Sequence, residues 1–423
     1  MLQDKNNHHT AAQINATILL RIFLPFGLGY FLSYLYRTVN AVIAPRLIND
    51  IGLVPADLGL LTASYFLTFA AFQLPLGVLL DRYGPRRVEG ILLLFAAAGA
   101  FIFSWAESMT GLILGRALIG FGVSACLMAA FKAFTIWLPS ERLPLANGIQ
   151  MISGGVGALA ATTPVELALQ FTDWRGVFLI LSGLTVATAI CLLLMVPEKK
   201  NRPGAETFRE QLDGIKTIFT SRIFWRIAPW TFTAQAAFLA VVGLWSGPWL
   251  RDVGGYDQMG MAQCLMGISL AMIAGFLIFG ALPKPLARHG IRPMSVASCG
   301  MLLFIIVQGL LLLQITAFTI PLFLLFGFFG TSCILPYAVF SQTFSRRLAG
   351  RANTGLNVLV FVMAFAAQWA IGAIIGLWPL TEAGGYNPAG YRVGFGLVLT
   401  IQLIAAGWYF FFNDHSERSQ AAG

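Results

Sequence analysis

The side chains able to do chemistry in this sequence are few, and they stand where charge is expensive. Arg37, Arg116, Lys132 and Glu166 lie well inside long apolar runs of the first half of the chain, and no comparable group does so in the second half. An ionisable residue at bilayer depth is costly enough that its retention points to function. Three basic groups against one acidic favour an anionic ligand that brings the missing counter-charge. Arg37 shares a helical face with Tyr34, Ser33 and Tyr30, at separations of three, four and seven residues. Hydroxyls beside a guanidinium suit a carboxylate, phosphate or sulfonate. The alternative is that Arg37 snorkels to the outer interface or pairs structurally. Arg116 and Glu166 both fall near the outer ends of their runs, within reach of each other. Two readings are open: a static ion pair, or a proton-coupling site in which Glu166 takes a proton when desolvated and releases it beside Arg116. Lys132 stands about 24 Å further along the helix than Arg116 and is expected to snorkel.

Uncharged polar residues extend the pattern. Asn353, Asn357 and Gln368 fall on one helical face, and Thr231, Gln235 and Ser246 on another. They either line a cavity or bond helix to helix. Trp245 and Trp369 are mid-run aromatics, walls for a ligand with an apolar body or ordinary packing. The candidate substrate-binding set is therefore Arg37, Tyr34, Tyr30, Gln235, Trp245, Asn357 and Gln368. No cofactor or metal is expected. His8, His9, His289 and His415 fall in tails or a loop, and the five cysteines lie in apolar stretches without a CxxC pair.

The elements that must position these groups are membrane helices. Of 423 residues 57% are hydrophobic and only 11% charged, against about a quarter charged in soluble domains. A soluble protein is excluded. Continuous apolar runs, each long enough to cross a bilayer, occupy residues near 18–44, 57–80, 88–106, 110–138, 145–170, 176–196, 227–250, 259–282, 294–316, 318–343, 352–378 and 391–412. The expected fold is an all-α integral membrane protein with twelve transmembrane helices in two pseudo-symmetric six-helix bundles. Residues 1–196 form the first bundle, 197–226 a cytoplasmic linker with an amphipathic helix, and 227–423 the second bundle.

The net charge of +9 reflects topology rather than nucleic acid, since no basic stripe appears. Even-numbered connections carry 17 basic residues against 4 in odd-numbered ones, which places both termini in the cytoplasm. Trp105, Trp137, Trp174, Trp225, Trp249, Trp378 and Trp408 sit at span ends, as an aromatic belt requires. The polar first 16 residues lead into an apolar run with no small-residue cleavage site, so the first span is expected to act as an uncleaved signal. A repeat is also visible. Arg82-Tyr83-Gly84-Pro85-Arg86 reappears as Arg288-His289-Gly290-Ile291-Arg292, and Ala146-Asn147 as Ala352-Asn353, both displaced by 206 positions. Paired bundles with a midplane site are the architecture of alternating-access carriers.

The segment Gly77-Val78-Leu79-Leu80-Asp81-Arg82-Tyr83-Gly84-Pro85-Arg86-Arg87 matches G-x-L-x-D-R-x-G-x-R-R and resembles the signature of the major facilitator superfamily. Arg116-Ala117-Leu118-Ile119-Gly120-Phe121-Gly122 looks like that superfamily's second motif. The resemblance implies a gating role for Gly77, Asp81, Arg82, Gly84, Arg86 and Arg87, with Asp81 meeting the positive N-terminus of span 11. A topogenic charge cluster is the plainer reading of the same residues. Tyr36-Arg37-Thr38-Val39-Asn40 resembles the D-R-x-N segment of organic-anion:cation symporters. It departs from that pattern at Tyr36, in place of the acid, and Val123 stands where that group has a glutamate.

These readings converge on a secondary transporter of the cell inner membrane. It is expected to move a small organic anion by alternating access with protons, as a monomer, with the lipid bilayer as its other partner. Proton-driven efflux of drugs or amphiphiles is the alternative. No activated nucleophile, paired carboxylates or intramembrane histidine cluster speaks for an enzyme.

Overall fold

The computed structural model describes residues 19–138, 143–198, 208–344, 346–382 and 384–411, and their regular structure is entirely helical. Twelve long rods run back and forth. Span 1 is Leu24–Thr38 continued by Asn40–Ile51, and spans 2 and 3 are Pro55–Tyr83 and Pro85–Trp105. Span 4 is Met109–Gly122 with Cys126–Trp137, span 5 Leu143–Ala160 with Thr163–Ala168, and span 6 Trp174–Met195. After the helix Phe208–Phe219 come span 7 (Arg222–Ala240 and Ser246–Asp252), span 8 (Gln258–Ala281) and span 9 (Pro293–Leu312). Span 10 is Thr319–Gly330 with Leu335–Thr343, span 11 Arg346–Ile375 and span 12 Pro388–Phe411. Ten of the twelve are long and apolar enough to cross a membrane. The other two, spans 1 and 5, are each broken into two helices.

Span 1 runs further than the apolar pattern predicts, to Ile51, because Arg46 is inside the helix and not in a loop. It stops at Gly52, whose φ of 73° is left-handed. The aromatic belt also needs correction: Trp174 and Trp249 are buried, and the Trp174 indole donates to Asp50 Oδ2 at 2.7 Å.

Gly84 alone separates spans 2 and 3, at φ 80° and ψ 158°, a region open essentially to glycine. Gly290, its equivalent under the 206-residue offset, has φ 78°. Both reversals thus carry a glycine at positive φ at the equivalent position. Gly84→Ala is expected to lower stability by about 1–3 kcal/mol, read as a fall in the thermal midpoint of the purified protein. An unchanged midpoint would show that the reversal adapts.

The offset reappears inside the membrane. Span 1 breaks at Val39, and span 7 contains a π-helical turn over Val241–Trp245. Span 4 is interrupted over 123–125, and span 10 by a 3₁₀ turn at Thr331–Ile334. Breaks therefore fall at matching depths in matching helices, and interrupted helices at the repeat interface expose backbone groups there.

Spans 2 and 11 pack along their length, spans 5 and 8 pack on the other flank, and spans 1 and 7 meet at one end. We call the end bearing Arg82–Arg87 the basic end and the other the far end. At the far end the halves approach backbone to backbone. A Cβ on Gly247 would lie 2.1 Å from the Ala41 carbonyl oxygen, and one on Gly372 2.4 Å from that of Pro55. At the basic end the helix Phe208–Phe219 lies against span 11.

Candidate functional site

Arg37 sits just before the break in span 1 and is buried. Its guanidinium lies 4.6 Å from the ring centre of Tyr34, 5.5 Å from Phe69, 5.9 Å from Tyr65 and 5.3 Å from Phe361. Phe361 belongs to span 11, so one wall of this aromatic box comes from the other half. Ring faces partly replace water around a cation, by roughly 2 kcal/mol when desolvated. They do not neutralise it: Nε has no hydrogen-bond partner, and no ion pair among the described residues includes Arg37. Tyr34, Arg37 and Thr38 line a small cleft with Phe238, Val242, Gly243 and Met272 of spans 7 and 8. Tyr30 continues the face towards the basic end, edge-on to Tyr34 at 5.1 Å, with its hydroxyl 3.7 Å from Met151 Sδ.

The polar stripes of the second half are joined by a residue the sequence reading missed. The Tyr337 hydroxyl, in span 10, is 3.0 Å from Gln235 Oε1 and 3.1 Å from Asn357 Oδ1. A phenol has one proton, so it donates to one amide and accepts from the other once that amide is turned. Gln235, Tyr337 and Asn357 thus form one polar cluster from spans 7, 10 and 11. Tyr337 is the only tyrosine in its apolar run, which is the signal that could have found it. Gln368 is fully buried, and neither end of its amide has a hydrogen-bond partner. It lies against Gly243 in the π turn, where the Arg37 carbonyl also lies. A buried amide without partners costs about 1–3 kcal/mol, unless a ligand or water supplies them.

Trp245 does not face this space. It is fully buried and its indole donates to the Gln368 carbonyl at 3.1 Å, so it braces the far-end closure. Trp369 is 47% exposed, on the outside of the bundle.

Arg116 and Glu166 are not brought together. Glu166 is held bidentately by Arg46, at 2.8 and 2.9 Å, because the continued span 1 brings Arg46 alongside span 5. Arg116 instead donates to the Tyr36 carbonyl at 2.9 Å. The break after Thr38 leaves the last carbonyls of that helix unsatisfied, and a buried cation there also meets the negative end of the helix dipole. Arg116 is a cap on the break, further covered by Tyr65 at 5.2 Å.

In the 77–87 segment, Arg86 donates to the Leu193 carbonyl and Arg87 pairs with Glu198. Both contacts tie span 3 to the end of span 6, within one half. Arg82 lies over the ring of Tyr83 at 5.3 Å, and the side chain of Asp81 lies outside the described residues. Arg87 and Glu198 are about half exposed, and such a pair contributes roughly 0–1 kcal/mol.

A second buried acid was also missed. Glu89, one turn into span 3, falls inside the apolar run 88–106 without being singled out among its charged groups, and it is fully buried.

The comparisons agree with this architecture. The family model described as Major Facilitator Superfamily matches residues 26–368. A "Probable sulfoacetate transporter" of Cupriavidus necator is 28% identical over 187 residues, 43% of each chain. A "Hexuronate transporter" of Escherichia coli K12 is 23% identical over 277 residues, 62% of this chain and 64% of that one. The chain thus spans less than two thirds of the length of these curated relatives. Among solved structures, a D-xylose-proton symporter superposes with a TM-score of 0.74 at 14% identity, covering 94% of this chain and 98% of that one.

Proposed function

This chain belongs to the major facilitator superfamily, and from that premise we propose that it carries a small organic anion across the cell inner membrane by alternating access, taken up together with protons. Both termini face the cytoplasm in this reading, with the basic end inward and the far end outward. The observation that carries it is Arg37: a buried guanidinium between the two halves with no carboxylate paired to it among the described residues. An anionic cargo supplies that partner. The orphaned amide of Gln368 and the Gln235–Tyr337–Asn357 cluster offer hydrogen bonds to the polar groups of the same cargo. The names of the relatives support the class, since sulfoacetate and hexuronates are small anions with further polar oxygens.

The test is uptake by purified protein in liposomes, with labelled sulfoacetate and galacturonate under an imposed inward proton gradient. Accumulation of one of these anions, abolished by dissipating the gradient, is expected. Stabilisation by lipophilic cations alone, with export in intact cells, would replace this reading with drug efflux.

Glu166 is poorly placed to carry the proton, because both of its carboxyl oxygens are already engaged by Arg46. Glu166→Gln is expected to cost about 1–3 kcal/mol of stability by leaving Arg46 without its partner. The proton-to-cargo ratio should stay the same. A variant that exchanges cargo yet no longer responds to the gradient would return Glu166 to the coupling role.

A further inference from the structure

Glu89 has the surroundings of a neutral acid. It is fully buried, and the only polar group beside its carboxyl among the described residues is the thiol of Cys126, a weak donor. Its Oε1 lies against the backbone of span 1, where a Cβ on Gly29 would come within 2.1 Å of it and within 3.7 Å of Cys126 Sγ. The pocket is thus made by a glycine of span 1, a thiol of span 4 and the acid of span 3, and among the described residues no cation pairs with the acid. Arg86 and Arg87, on the same helix, are committed to the Leu193 carbonyl and to Glu198. Arg82 of span 2 lies over Tyr83. On span 4, Arg116 is bonded to the Tyr36 carbonyl and Lys132 has its own interaction. Arg37 stands eight residues beyond Gly29, about 12 Å along span 1. A buried carboxylate with no paired cation and only a weak thiol donor beside it takes up a proton instead of staying charged.

We propose that Glu89 is the proton-binding group of the transport cycle, with Gly29 and Cys126 forming its pocket. The proposal rests on the transport reading above. Span 1 forms one wall of the pocket and also carries Arg37, so a shift of span 1 against span 3 changes both sites together. When the pocket opens to water at the basic end, the carboxyl O–H bond breaks and the proton leaves to that water. The carboxylate regains a proton only in the opposite state, after the basic end has closed and the far end has opened, so each cycle carries one proton from the far end to the basic end.

Two measurements test this. Infrared pH-difference spectra of the wild type and of Glu89→Gln follow the C=O stretch of a protonated carboxyl. The same two proteins in liposomes are assayed for sulfoacetate and galacturonate, both by exchange without a gradient and by accumulation with one. Glu89→Gln keeps the shape of the neutral acid, so it is expected to fold, to lose the infrared band and to retain exchange. Gradient-driven accumulation should fall at least tenfold. A band that persists in Glu89→Gln, or accumulation equal to wild type, overturns the proposal. If the wild type moves neither anion, the cargo reading fails and the infrared band alone decides whether Glu89 holds the proton.

Discussion

Arg37→Gln is expected to reduce anion uptake on the order of a hundredfold while leaving the protein at least as stable as the wild type. The two halves of that expectation come from one geometry. Truncating one partner of a desolvated charge pair costs roughly 2–5 kcal/mol of binding, and the cargo is the partner that Arg37 lacks in the empty protein. The empty protein, by contrast, pays for burying a guanidinium whose company is Tyr34, Tyr65, Phe69 and Phe361. Replacing an uncompensated buried charge with a neutral side chain relieves that cost. Arg37→Lys keeps the charge but loses the fork geometry, and should fall between the two. Uptake and thermal midpoint measured on the same preparations decide the matter. Full activity in Arg37→Gln would remove this residue from the binding site, and a large loss of stability would make it structural.

Gly247→Val should trap the carrier with its far end apart. The added Cβ would lie 2.1 Å from the carbonyl oxygen of Ala41, and that atom is backbone, with no flexible side chain to yield. Overpacking of this kind costs roughly 1–3 kcal/mol, and 2 kcal/mol is about a thirtyfold shift between two states. Spin labels at Phe171 and Leu377, both exposed and in different halves, report the separation directly. The distance should lengthen in Gly247→Val, and uptake should fall more than tenfold. An unchanged distance with normal uptake would show that spans 1 and 7 slide past the obstruction.

Much of the fold was legible in the sequence because a bilayer leaves few alternatives. Long apolar runs, loop charge and the 206-residue repeat led to twelve spans, and the structure has twelve. Individual pairings were less legible, for physical reasons. Arg46 was assigned to a loop since a charge near the end of an apolar run ordinarily marks the interface, but the helix continues and carries it to Glu166. That one displacement removed Arg116 as the partner of Glu166. Arg116 in turn answered a need no periodicity reveals, a carbonyl freed by a helix break. Gln235 and Asn357 were recognised as separate stripes, while the Tyr337 hydroxyl between them required knowing that spans 7, 10 and 11 converge. Glu89 was overlooked because it stands close to Arg86 and Arg87 at the start of its run, and burial is not a property of sequence neighbours.

The aromatic box around Arg37 also has an electrical consequence. A guanidinium surrounded by rings keeps its full charge, so the empty carrier holds a positive charge between its halves that no ion pair among the described residues neutralises. Binding a monovalent anion cancels it. A membrane potential acts on charge at about 2.3 kcal/mol per 100 mV for one unit moved across the whole bilayer. The voltage therefore acts through Arg37 mainly on the unloaded protein, and the return of the empty carrier becomes the step that the cell's potential can hasten or slow.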